Sequence, residues 1–195
     1  MNTNKRLEIN SLKTIKDYLQ QMYFFKYSTQ KRNIAYLMQL REFLLEIHKT
    51  YTIDRGLESM FMYNIIRTNS DIIEGLLYCA IIEIEPVKYS KIKAIQLVNA
   101  AKSKQIISKE IASLLKNTIN IRNDLHPCRQ NKLHVKITPQ MYDDSNLALD
   151  QVFASVSSFF NPNSSDENEI CQYCYMNTNY GEQCLGCGKI IGYDS

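Results

Sequence analysis

Apolar residues return every three or four positions through most of residues 1–160, the period of helices that bury one face. "LEINSLKTIKDYLQQMYFF" predicts a first helix, and "KRNIAYLMQLREFLLEIHKTY" a second, with Ile34, Leu37, Leu40, Leu44 and Ile47 as its buried stripe. The longest run follows Gly56, with Leu57, Phe61, Ile65, Ile72, Leu76 and Cys79 on one stripe. A bend is expected at Asn69-Ser70, and Pro86 supplies a stop. "YSKIKAIQLVNAAKSKQ" predicts a fourth helix. Ser108 is the expected N-cap of a fifth that carries Glu110 in its first turn and ends near His126. "HPCRQNKLHVKITPQ" breaks the pattern, and a last helix over 139–160 offers Leu147, Leu149, Val152 and Val156 to the core.

Six glycines and four prolines in 195 residues argue against a sandwich or barrel of many short strands. The expected class is therefore all-α. "MNTNKRLEIN" has no apolar core for a signal peptide, and Glu74, Glu83 and Glu85 interrupt the most apolar segment. Neither secretion nor a membrane span is expected, and the cytoplasm is the default location. At 161–169 the chain turns to "NPNSSDENE", an acidic linker without an apolar side chain. The division is then a helical domain at 1–160, the linker at 161–169 and a small unit at 170–195. The net charge of +3 splits at residue 160 into +7 and −4. The positive excess is scattered along the helices, as lysines that solvate helix faces are, and leaves RNA as one candidate partner.

The tail carries Cys171-Gln-Tyr-Cys174 and Cys184-Leu-Gly-Cys187-Gly188, two C-x-x-C pairs nine residues apart. Each short loop can aim two thiolates at one point, and together they form a closed tetrahedral zinc site. The segment resembles a zinc ribbon over about 169–193, with Tyr175 where the first knuckle often has glycine. A disulfide pair is the alternative, disfavoured in a reducing compartment for a segment too short to hold itself together by apolar burial. Four thiolates leave the zinc no open position, so its role would be structural. Cys79 is expected in the core and Cys128 in a loop.

"SDIIEGLLYCAI" (70–81) and "LVNAAKSKQIISKEIASLLKNTINIRNDLHP" (97–127) resemble the HEPN superfamily of helical bundles, often dimeric, many of which bind or cut RNA. The resemblance spans roughly 30–160 and is most specific at "RNDLHP". It implies a HEPN-like bundle with Arg122, Asn123 and His126 as the catalytic set, paired across a homodimer. Arg122 would steady the scissile phosphate. His126 would move the 2′-hydroxyl or leaving-group proton without metal, leaving a 2′,3′-cyclic phosphate and a 5′-hydroxyl. Three residues separate Arg122 from His126, one fewer than the active pattern, whereas Arg129 and His134 have four between them and Arg41 and His48 six.

Arg122 and His126 lie one turn apart, continuing the face of Leu115 and Ile119. Pro127 biases His126 out of the helix, at an end where the macrodipole favours imidazolium. The structural alternative has Arg122 paired with a carboxylate, for which Glu74 in "IIEGLL" is the candidate, and His126 capping carbonyls. Two functions stay open: a metal-independent endoribonuclease or RNA-binding protein in a defence or toxin setting, and an inactive helical adapter whose zinc ribbon contacts a protein partner.

Overall fold

The computed structural model describes residues 12–26, 28–51, 55–85, 92–124, 137–160, 169–170 and 177–178. Six helices dominate them: α1 (Ile15–Gln21), α2 (Ser28–Thr50), α3 (Arg55–Ile84), α4 (Ala94–Ser103), α5 (Lys109–Asp124) and α6 (Pro139–Phe160). The described residues are all-α apart from a two-stranded antiparallel ladder, β1 (Glu169–Ile170) and β2 (Asn177–Thr178), in which Glu169 pairs with Thr178 and Ile170 with Asn177. No helix among the described residues is long and apolar enough to cross a membrane.

α3 is the axis of the bundle, packed by α2, α4, α5 and α6. Its buried residues come in adjacent pairs, Ile65/Ile66, Ile72/Ile73, Leu76/Leu77 and Ala80/Ile81, so two sides of the helix are covered rather than one. α3 is one continuous helix through Asn69-Ser70. Asn69 is fully buried and donates to Ser145 Oγ at 3.0 Å and Asn146 Oδ1 at 3.1 Å, tying α3 to α6. α2 meets α3 closely at Gly75, where an added Cβ would lie 2.8 Å from Ile34 Cγ1.

Local signals set the helix ends. Thr14 and Asp17 form a reciprocal capping box on α1. α4 closes with the amides of Gln105 and Ile106 bonded back to Lys102 and Ala101, a Schellman turn in which Gln105 takes φ 59°. Ser108 accepts the Ile111 amide at 3.3 Å and starts α5 as its sequence predicts. Phe24 stacks on Phe160 at 6.2 Å, and Phe25 meets that ring edge-on at 5.7 Å, clasping the α1–α2 turn to the end of α6.

The predicted core is largely in place: Ile34, Ile65, Ile72, Leu76, Cys79, Leu149, Val152 and Val156 are buried. Leu40, Leu57 and Leu147 stay exposed, because a stripe inferred from period alone continues where no neighbouring helix covers it.

Candidate functional site

Two carboxylates reach the outside of α3 three residues apart, Asp71 and Glu74, and so share a face. α5 crosses that face. Its core contacts, Leu115 and Ile119, are buried, and Thr118 Oγ1 bonds back to the Leu114 carbonyl at 3.1 Å. Arg122, one turn beyond Thr118, is thereby held against α3. A single nitrogen, Nη1, meets both acids: it donates to Asp71 Oδ1 at 3.3 Å and forms a close ion pair with Glu74 Oε1, an oxygen sealed from solvent. Arg67 Nε adds a looser contact to Asp71 at 4.0 Å.

Burial raises the Glu74 carboxyl above its ordinary pKa, and the Arg122 charge pulls it back toward the ionised form. The side chains of Arg122 and Glu74 are 22% and 28% exposed, so this pair is screened less than a surface ion pair. With Arg67 included, two cations face two carboxylates and the patch is close to neutral.

Of the catalytic set expected from the resemblance, α5 carries Arg122 and Asn123, whereas His126 lies outside the described residues, as do Cys128, Arg129 and His134. Cys171, Cys174, Cys184 and Cys187 lie outside them too, although β1 and β2 bracket the first cysteine pair in sequence. No cluster of three or more metal-binding side chains occurs among the described residues. Leu115 and Ile119, whose face Arg122 continues, belong to the bundle's own core. Arg41 and His48 both face α6: Arg41 donates to Asn146, and the His48 ring lies 5.8 Å from that of Tyr142.

Two features escaped the sequence reading. Asp71 joins Glu74 on Arg122, and its place three residues before Glu74 was the available signal. Arg41 donates from Nε to Asn69 at 2.6 Å and from Nη2 to Asn146 at 2.8 Å, forming a polar seam inside the α2–α3–α6 packing. The signal there was Asn69-Ser70 in the middle of an apolar run.

Comparison with family models, with curated proteins and with solved structures finds no match to this chain.

Proposed function

We propose that the chain is a catalytically inactive helical adapter on a HEPN-like bundle, in which Arg122 fastens α5 to α3 and a C-terminal zinc ribbon engages a protein partner in the cytoplasm. The observation that carries this reading is the sharing of Arg122 Nη1 between Asp71 and Glu74. A phosphate brought to that arginine would meet two carboxylates at similar range, and their repulsion offsets most of the attraction. Truncating either side of such a pair leaves a half-buried charge, which makes the contact a structural tie.

The tail supports the second half of the reading by its donor set. Cys171, Cys174, Cys184 and Cys187 suit one tetrahedral zinc, with a short antiparallel ladder about the first pair. Zinc bound there would supply folding free energy and no reactive water. Residues 161–195, with five acids against Lys189, suit a basic partner surface.

A second reading, the metal-independent endoribonuclease, rests on one specific observation. Arg122 Nε and Nη2 carry no hydrogen bond or ion pair among the described residues, so part of the guanidinium remains for a phosphate. There Asp71 and Glu74 would orient Arg122, and His126 from each protomer of a dimer would transfer the proton. The two readings separate when purified full-length protein is incubated with mixed RNAs in EDTA and the ends are mapped. The adapter leaves the RNA intact. Cyclic phosphate ends that vanish in both Arg122→Ala and His126→Ala would establish the nuclease.

A further inference from the structure

A cavity of about 430 Å³ opens between α1, α2 and α6, away from Arg122. Leu45, Leu149 and Phe153 are its apolar lining, and buried Tyr18, half-buried Arg41 and exposed Lys13 are among its polar lining. Its volume falls within the range of small-molecule sites, and the mix of apolar wall with a few fixed polar groups is what such sites use for affinity and orientation.

Arg41 differs from Arg122 in its partners. Its Nε and Nη2 donate to the side-chain oxygens of Asn69 and Asn146, which are neutral, and it has no carboxylate at ion-pair distance among the described residues. Those bonds occupy the side-on edge of the guanidinium and fix its plane. A guanidinium has five N–H donors, so three remain, including the end-on fork of Nη1 and Nη2 that matches a carboxylate or phosphate. The seam that fixes it is itself anchored, since Asn69 is fully buried and also holds Ser145 and Asn146.

Glu42 and Asp150 line the cavity with Lys13 and Arg41, so its lining is close to neutral; unlike those at Arg122, the two acids make no hydrogen bond or ion pair with the guanidinium among the described residues. Glu42 Oε2 accepts the Tyr18 hydroxyl and the Lys13 amide, the latter at 2.9 Å, and so fastens α1 to α2. Asp150 is exposed on α6, where solvent screens its charge. Lys13 Nζ lies 5.9 Å from the centre of the Tyr18 ring.

We propose that this cavity is a binding site for a small organic anion, with an apolar ring packed between Leu45, Leu149 and Phe153 and its anionic group on the end-on fork of Arg41. The site is independent of Arg122 and of the adapter reading, because it uses other residues and no RNA or protein partner.

The test uses the full-length protein with indole-3-acetate as the carboxylate probe, phenyl phosphate as the phosphate probe and neutral indole as the control. The chain has no tryptophan, so the fluorescence of the indole compounds, excited at wavelengths where tyrosine barely absorbs, reports binding, and a thermal shift reads the phosphate probe. At least one anionic probe is expected to bind saturably, with indole more than about tenfold weaker, the ratio of one charge-assisted hydrogen-bonded contact. Arg41→Gln and Ala154→Leu, the latter narrowing the cavity from an exposed position, each raise the Kd about tenfold or more. Should Arg41→Gln fail to fold, Ala154→Leu decides. Absence of saturable binding by either anion up to millimolar concentration, equal binding of indole, or unchanged affinity in Ala154→Leu would overturn the proposal.

Discussion

Glu74 in α3 and Arg122 in α5 form a close, mostly covered ion pair, and Asp71 shares the same guanidinium nitrogen. The pair makes Arg122 a contact between α5 and α3. Its cost and benefit are unequal: forming it from two hydrated ions gains little, but losing one partner strands the other where burial already opposes its charge.

Gly75→Ala should lower stability by roughly 1 kcal/mol, although alanine is the better helix former. The added Cβ would sit 2.8 Å from Ile34 Cγ1 and 3.2 Å from Cδ1, both within the core. Overpacking typically costs about 1–3 kcal/mol, against a helix-propensity gain near 1. Urea denaturation checks the sign, and Ile34→Ala should cost less in the Gly75→Ala background than alone.

Lys31 predicts a rise of stability with alkaline pH. Its side chain is 1% exposed and donates to the Phe25 carbonyl at 3.3 Å, and burial pushes its pKa down to about 8 from 10.5. Between those values the unfolded chain binds the proton that the folded chain has released, so stability increases as pH rises through that window. From pH 7 to pH 10 the Lys31 contribution should grow by about 2 kcal/mol. Denaturation curves of wild type and Lys31→Met measure it, with the slope against pH flatter in the variant.

The cysteine spacing predicts about one zinc per full-length chain, measured by elemental analysis after gentle purification. If the expected division into a helical domain, a linker and a zinc unit holds, Cys184→Ser should release the metal and leave the far-ultraviolet helical signal of the bundle in place. Loss of that signal would contradict the two-unit division.

Helical periodicity and end signals made the all-α class, the order of the six helices and the Ser108 cap legible in advance. The burial of α3 on two sides was not, since a one-face stripe captures Ile72, Leu76 and Cys79 but passes over Ile73, Leu77 and Ile81. Nor was the use of Asn69, because a polar residue in an apolar run can mark a bend or a buried network, and only the partners on α2 and α6 distinguish them. At the candidate site the sequence pointed to Glu74 as the carboxylate for Arg122. It was silent on Asp71, whose approach depends on how α5 crosses α3.

The direct measurement of the Arg122 tie is a double-mutant cycle in urea at neutral pH, with Arg122→Met, Glu74→Gln and both together. A structural tie gives a destabilised Arg122→Met, by about 2 kcal/mol or a melting temperature lower by roughly 4–8 °C, and a coupling of about 1–3 kcal/mol with Glu74→Gln. Arg122→Met of wild-type stability, with coupling within about 0.3 kcal/mol of zero, would contradict it and return the arginine to phosphate chemistry.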